Sequence, residues 1–335
     1  MMLNCITEVA MLDSGEERLA RLAKMAFLYY KEGKNQSEIA EALGVARPMV
    51  SRQLKEAEEL GIVKVSVDYP YRSARLEALF KERYGLAEPR IHIIDADDAK
   101  NAKALIGLAA AKYLSRASLG VRRIGVSWGS SLFEMIRHLE PVENPCLEVV
   151  QLIGATGHEN NPSDGPLIAQ GLADKLDAKA YLLHAPLVVE SELVRNALMK
   201  DRVILETLDR AREADIAFVG LGCLEREKNS LFKAGYLSDE ELDRLRKAGA
   251  VGDTCAQFFD AEGRILDIDV NHRVIGLPLT ELAKIPKVIA VSLGEEKAHG
   301  ILGALRGKRL TGLITDQRTA LRVLALDGCE QNGED

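Results

Sequence analysis

The sequence is poor in aromatic residues, which make up 5% of its 335 positions and include a single tryptophan, Trp128, so any core it builds is largely aliphatic. Its five cysteines (Cys5, Cys146, Cys223, Cys255 and Cys329) include no CxxC pair, and its six histidines are equally dispersed. That spacing argues against a disulfide framework and a local metal cluster, and it fits a reducing cytoplasm. No apolar run approaches the length of a membrane span, so no membrane partner is expected. The first dozen residues lack the basic stretch, apolar run and cleavage site of a signal peptide. Neither GxxxxGK[ST] nor a clean GxGxxG occurs, so no nucleotide cofactor is implied. No carboxylate–histidine constellation marks a catalytic site.

What is present is a globular composition, 47% hydrophobic and 28% charged, over a length suited to two domains. The net charge of −7 speaks against general coating of nucleic acid, so local charge has to decide where DNA could bind.

Residues 1–68 read as a winged helix-turn-helix. From Glu16 to Glu32, Leu19, Leu22, Ala23, Ala26, Phe27 and Tyr30 recur at helical spacing, and Gly33 supplies a stop. A second helix, capped by Asn35 or Ser37, turns Ile39, Ala40 and Leu43 inward and ends at Gly44. A third begins near Arg47 with Pro48 in its first turn and buries Val50, Leu54 and Ala57. Gly61 closes it, and the alternation Ile62–Val67 predicts a half-buried strand, the wing. Arg47, Pro48, Met49, Ser51, Arg52 and Lys55 fall outside the buried stripe. An exposed helix fits the major groove of DNA, where Arg47 and Arg52 can grip a guanine edge or a phosphate. Ser51, Gln36 and Lys34 suit the backbone. Over 34–55, four positive side chains (Lys34, Arg47, Arg52, Lys55) face two negative ones (Glu38, Glu41), against the sign of the whole chain. Ala46 stands where a capping Ser or Asp would accept a backbone N–H, and a DNA phosphate can take that role. A helical bundle used only for pairing is the competing reading.

Tyr69-Pro70 breaks the pattern. Residues 69–88 read as a connecting helix, amphipathic from Arg72 to Tyr84 with Leu76, Leu79 and Phe80 on one face and Gly85 at its end, that links the domains or pairs two subunits. Over 89–326 short apolar strands alternate with helices: Arg90–Ile94, Ile124–Ser127, Leu147–Ile153, Ala180–Leu183, Asp215–Val219, Val288–Val291 and Gly312–Thr315. This predicts a Rossmann-like parallel sheet covered on both faces, an α/β domain. Glycines near 250–276 predict a β-rich insertion, and 327–335 is a polar tail.

Ligands of such sheets collect beyond the carboxyl ends of the strands. Three glycine-bearing loops are expected there: Trp128-Gly129-Ser130-Ser131, Gly154-Ala155-Thr156-Gly157 and Gly220-Leu221-Gly222. Glycine lets backbone N–H groups approach an anion, and a helix N-terminus adds positive potential. Each loop alone reads equally as an ordinary strand-to-helix turn. Asp253, Gln257, Asp269, Asn271, Arg273 and Lys297 are further pocket candidates: Asp accepts from sugar hydroxyls, Arg or Lys pairs with phosphate. A lysine placed early in a helix, as expected for Lys297, opposes the helix dipole.

Seven stretches, in order, carry a family resemblance: QSEIAEALGVARPMVSRQLKEAEELGIVKV, IGVSWGSSL, LEVVQLIGATG, VGLGC, AVGDTCAQFFDAEG, NHRVIGL and KAHGILGALRGKRLTGLITDQRTA. Over about residues 18–326 the chain resembles the SorC family of bacterial sugar-responsive transcription regulators. The resemblance implies a DNA-binding N-terminal domain and an effector domain of the ribose-5-phosphate isomerase or glucosamine-6-phosphate deaminase type. It implies operator DNA, a small phosphorylated sugar and further copies of the chain (a dimer or tetramer) as partners, and repression of a carbohydrate-catabolism operon. Family pockets use the loop matching Gly154–Gly157, the acid matching Asp253 and the lysine matching Lys297. Two positions depart from the family: Ile153 stands where some members carry a lysine, removing one candidate for imine formation, and Ala46 is often serine. The alternatives are a sugar-phosphate isomerase or deaminase with an appended DNA-binding domain, in which Asp253 or Asp269 would be the base, and a scaffold.

Overall fold

In the computed structural model the described residues are 17–63, 72–92, 94, 99–142, 144, 146–157 and 161–328. The chain divides into two compact units, Met1–Tyr69 and Pro70–Asp335.

The first unit is built on three helices: α1 over residues 17–30, α2 Gln36–Leu43 and α3 Arg47–Glu59. Asn35 caps α2. Its side chain accepts from the Ser37 and Glu38 N–H groups, and Glu38 accepts from the Asn35 N–H, which satisfies donors the helix start leaves open. Gly44 takes the left-handed conformation (φ 65°) that turns the chain into α3. Leu22, Met25, Ile39, Val50, Leu54 and Ala57 close the core.

The expected inner face of α1 needs correction. Leu22 and Ala26 are buried, but with Met25 and Leu28, whereas Leu19, Phe27 and Tyr30 are 47%, 54% and 41% exposed and Ala23 faces outward. Two apolar stripes overlap on this helix, and packing against α2 and α3 selects the one through Leu22 and Met25. The wing expected at Ile62–Val67 falls largely on 64–67, outside the described residues.

The second unit contains α4 Ala74–Tyr84, β1 Glu88–His92, α5 Ala99–Ala117, β2 Arg123–Val126, α6 Ser130–Arg137, β3 Glu148–Gln151, α7 Gly165–Leu176, β4 Lys179–Tyr181 and β5 Ile216–Val219. An antiparallel hairpin, β6 Gly252–Thr254 and β7 Gln257–Phe259, fills the expected insertion, and β8 Lys287–Val291 and β9 Gly312–Asp316 complete the sheet. The seven long-sheet strands pair in parallel in the order β1-β9-β8-β5-β2-β3-β4. All seven strands expected from the alternation of apolar runs are present.

The helix expected to connect the domains belongs to this unit instead. Ser73 caps it, Leu76 and Phe80 are buried in the unit's core, and the Ile91 N–H donates to the Glu77 carboxylate (2.9 Å). Leu79, expected on the same face, is exposed.

The period-2 alternation of the strands splits the core between the two faces of the sheet. Ile124, Val126, Ile216, Phe218, Ile289 and Ile314 pack under α5, α6 and α7. Ala217, Val219, Ala290 and Leu313 face the opposite layer of helices. The chain runs outward from β2 through β3 to β4, then returns to place β5 on the other side of β2. That reversal opens a crevice at the carboxyl ends of β2 and β5, where ligands of open α/β sheets bind.

Candidate functional site

Two surfaces carry chemistry, one on each unit. On the first, Arg47, Pro48, Met49, Ser51, Arg52 and Lys55 are all exposed, opposite the buried Val50, Leu54 and Ala57. The far half of α3 is anchored: Arg18 pairs with Glu56, and the Tyr30 hydroxyl donates to Glu58 (2.6 Å), which pushes the phenol up to about 12. The near half, Arg47 to Arg52, makes no ion pair among the described residues. Lys55 meets Glu59 only loosely (3.8 Å). Lys34 is half-buried and paired with Glu32 (3.0 Å), and Gln36 is half-buried in the first turn of α2. Ala46 offers no side-chain cap, as expected from the sequence. The vacancy is narrow, because Pro48 has no N–H and the Met49 N–H donates to the Ala46 carbonyl (2.8 Å).

On the second unit a cleft of about 940 Å³ opens at the switch point. One wall is Trp128, Gly129, Ser130 and Ser131, with Glu134 behind them and Lys103 from α5 beside them. Gly129 turns sharply into α6 at φ 121°, a conformation a side chain would strain. Its N–H donates to the Ser163 carbonyl (3.0 Å), and no side chain caps the helix, so the N–H groups at the start of α6 meet the cleft without intrahelical partners. Lys103 Nζ donates to Ser130 Oγ (3.2 Å), adding a full positive charge to the helix-dipole end. Asn161 and Ser163 lie at the rim. The other wall carries Lys228, Ser230 and Lys233, and Leu293, Gly294, Glu296 and Lys297 follow β8. Lys228 bridges Glu225 (3.2 Å) and Glu296 (3.3 Å). Four lysines therefore face two glutamates around one cavity, the balance an anionic ligand requires.

Lys297 sits in a 3₁₀ turn, Glu295–Lys297, just before the helix Ala298–Arg306. Its pKa is lowered chiefly by desolvation, against the opposing pull of Cys223, Glu296 and Asp253 and with a further push from Lys103. Asp253 is buried in the layer behind the cleft lining, where desolvation raises its pKa to about 6, with Lys297 and the Ala256 N–H acting the other way. The β6–β7 turn that presents the Ala256 N–H carries Cys255 and Ala256 at φ 51° and 60°, where glycine or asparagine is usual.

The glycine loops divide. Gly129 and Ser130, with Trp128, form the cleft wall. The Gly154–Gly157 loop does not supply the row of open donors expected of it. The Gly154 N–H is bound to the Ile275 carbonyl (2.9 Å), Ala155 to Ala185 (2.8 Å) and Thr156 to the Asp164 carboxylate (2.8 Å). Gly154 is glycine because a Cβ there would come 2.3 Å from the Pro186 oxygen. Gly157, at φ 70°, turns the chain out of the loop. Gly220 and Gly222 likewise make room rather than cradle: a Cβ on Gly222 would lie 1.9 Å from Asp253 Oδ1, and one on Gly220 would lie 3.3 Å from the Trp128 oxygen.

Three further expectations are not met at the cleft. The Gln257 amide is consumed internally, donating to Leu277 (3.1 Å) and accepting from Leu279 (3.2 Å). Asn271 bridges Phe258 and Leu266. Asp269 and Arg273 pair with each other (2.7 Å) in a separate groove. Ile153 is wholly buried in the apolar core, so that position does not face the cleft. Lys103, Lys228 and Lys233, which do line it, come from helices and loops with no motif of their own; only the topology gathers them.

Among the described residues no helix is long and apolar enough to cross a membrane. Residues 69–325 match the Sugar-bind family of sugar-binding domains, and residues 26–64 match a winged helix-turn-helix DNA-binding model. The chain is 34% identical over 303 residues to the deoxyribonucleoside regulator of Bacillus subtilis, covering 90% of this chain and 96% of that one. It is 30% identical over 307 residues to the sorbitol operon regulator of Klebsiella pneumoniae, covering 90% and 97%. The solved full-length SorC from Klebsiella pneumoniae aligns with a TM-score of 0.74 at 28% identity, over 91% of this chain and 98% of that one. A winged helix-turn-helix match on one unit, a sugar-binding domain match with a sugar-sized cleft on the other and relatives of matching length that regulate transcription lead to one assignment: the chain is a DNA-binding, sugar-responsive transcription regulator of the SorC family, and not an enzyme.

Proposed function

We propose that the effector is a phosphorylated sugar, held in the switch-point cleft, and that its binding changes the affinity of α3 for operator DNA. The observation that carries this reading is the uncapped start of α6 at Gly129–Ser131, with Lys103 bonded to Ser130. Backbone donors, dipole and lysine converge there on a spot suited to a phosphate. Asn161, Ser163 and Lys297 then face the sugar hydroxyls, and Asp253 acts through Lys297, holding its charge from behind. The volume lies within the usual range for small-ligand sites, about 300–1,000 Å³.

On the DNA side, Arg47 and Arg52 read bases or phosphates, and Ser51, Gln36 and Lys34 position the helix on the backbone. Copies of the chain pair, so that two α3 helices meet successive turns of the major groove. Effector binding favours the subunit arrangement that releases the operator, and so relieves repression of a sugar-utilisation operon. It shifts the balance only by its differential affinity for the two arrangements.

Thermal unfolding in the presence of pentose and hexose phosphates, each beside its unphosphorylated parent, tests the ligand class. A true effector at about 100 times its Kd adds about 2.7 kcal/mol of stability. The parent sugar is expected to add far less, and Lys103→Ala to weaken the phosphorylated form about tenfold. Equal stabilisation by the parent sugar would refute the phosphate assignment.

A further inference from the structure

Away from the cleft, the second unit carries a protruding apolar side chain and an apolar hollow on one surface. The short helix Glu192–Leu198 buries none of its side chains, and Leu193 at its start is 80% exposed. The hollow, about 250 Å³, has Leu237, Leu245 and Val270 as its floor and Arg244, Arg273, Glu241 and Asp269 on its rim. It is smaller than ordinary ligand pockets of about 300–1,000 Å³, and its scale suits one or two side chains. The helix Asp269–Arg273 borders both features: it packs beside Glu192–Leu198, lines the hollow, and is followed by Val274, whose carbonyl accepts from Arg195 Nε (3.3 Å).

The charges around the two features are complementary. Leu193 is flanked by Glu192 and by the exposed Glu190, neither of which has an ion pair among the described residues. On the rim, Arg244 has no carboxylate partner among the described residues, its Nε donating to the Glu240 carbonyl (3.4 Å). Arg273 on the same rim is matched by Glu241 and Asp269, so Arg244 is the rim's unmatched charge, and the glutamates beside Leu193 complement it across a two-fold interface.

We infer that this face joins two copies of the chain, Leu193 of each entering the Leu237–Leu245–Val270 hollow of the other while Glu192 and Glu190 meet Arg244. An apolar anchor in a dry pocket with charges at its rim is how interface energy is usually concentrated. The inference rests on the proposal that copies pair, and it names the surface that pairs them.

Sedimentation velocity on the full chain tests it. Wild type is expected to sediment as a dimer or a higher even-numbered assembly. Leu193→Asp is expected to halve the mass while leaving the melting temperature of the fold unchanged, since that side chain touches little within its own chain. Arg244→Glu should weaken association at least tenfold, and Glu192→Arg combined with Arg244→Glu should restore most of it. A monomeric wild type would overturn both the pairing proposal and this surface. An assembled wild type that Leu193→Asp leaves intact, or a charge reversal the second substitution does not rescue, would overturn the surface alone.

Discussion

The two units hold their candidate functional residues in opposite ways. In the first, Arg47, Pro48, Met49, Ser51, Arg52 and Lys55 lie within nine positions on one helix, and their exposure follows from the burial of Val50, Leu54 and Ala57. In the second, the cleft draws Lys103, Ser130, Asn161, Lys228, Lys233 and Lys297 from five separate stretches, and no local pattern marks them as neighbours. A DNA-reading surface is a property of one helix face, so periodicity alone exposes it. A ligand cleft in a parallel sheet belongs to the topology, and its residues meet only because the chain reverses at β2 and β5. The same contrast governs glycine. Gly44 in the first unit makes a turn. Gly154 and Gly222 in the second make space for a backbone or a carboxylate, a role that cannot be told from phosphate binding until the neighbours are known.

The contrast is sharpened most by Gly222→Ala. The added Cβ would fall on Asp253 Oδ1, and the Gly222 N–H is itself bound to the Asp253 carbonyl (2.8 Å), so neither side yields easily. We expect a loss of about 3 kcal/mol in the unfolding free energy of the second unit, measured by denaturant titration. DNA contacts on α3 would stay intact in the folded fraction. A stability loss below about 0.5 kcal/mol would show that Gly222 is not held against Asp253.

The next effect depends on pH. Because burial raises the Asp253 pKa to about 6, the folded unit favours the protonated carboxyl. Its contribution to stability is fully present below about pH 4 and is lost as the pH rises through 6, a fall of about 2–3 kcal/mol. Asp253→Asn should abolish that part of the pH profile and leave the mutant less sensitive between pH 4 and 6. Identical profiles for the two proteins would place Asp253 in water.

Arg47→Ala and Arg52→Ala are each expected to cost about 1–3 kcal/mol in operator binding without changing the melting temperature, because both side chains are exposed. Fluorescence anisotropy at fixed salt checks this. A pairing-only role for the first unit predicts no loss of DNA affinity at either position.

The smallest effect belongs to the helix cap. Ala46→Ser gives α3 a side-chain acceptor for the Met49 N–H and should stabilise the first unit by about 0.5–1 kcal/mol. The gain is modest because Pro48 has already removed one orphan donor and Met49 is bonded to the Ala46 carbonyl. A larger gain would mean that this turn is poorly closed in the parent protein.

How far the sequence could be read follows from the same physics. The strands were legible because apolar runs of parallel sheets are bounded by turns, and both helices of the helix-turn-helix were legible because Asn35, Gly44 and Pro48 mark their ends. The inner face of α1 was misread because its sequence supports two apolar stripes, and only α2 and α3 choose between them. Residues 72–84 read as a connector, yet burial of Leu76 and Phe80 joins them to the second unit. At the cleft, Gly129, Ser130 and Lys297 were legible through the strand-to-helix turns they follow. Asp269 and Arg273 looked equally suitable, but a salt bridge between neighbouring turns of one short helix uses the same residue types as a phosphate site. Lys103 carried no signal at all: one lysine on a helix reads as solvated until β2 and α6 bring Ser130 beside it.

The coupling of the cleft to DNA is measured most directly by the affinity of the full chain for its own upstream DNA, titrated with pentose and hexose phosphates and with the parent sugars, for wild type and Lys103→Ala. A phosphorylated sugar is expected to change the DNA Kd of wild type at least fivefold and its parent sugar to leave it unchanged, while Lys103→Ala shifts the effect to about tenfold higher ligand concentration with its DNA affinity in the absence of sugar unaltered. An equal response to the unphosphorylated sugar, or a Lys103→Ala variant that responds like wild type, would contradict this expectation.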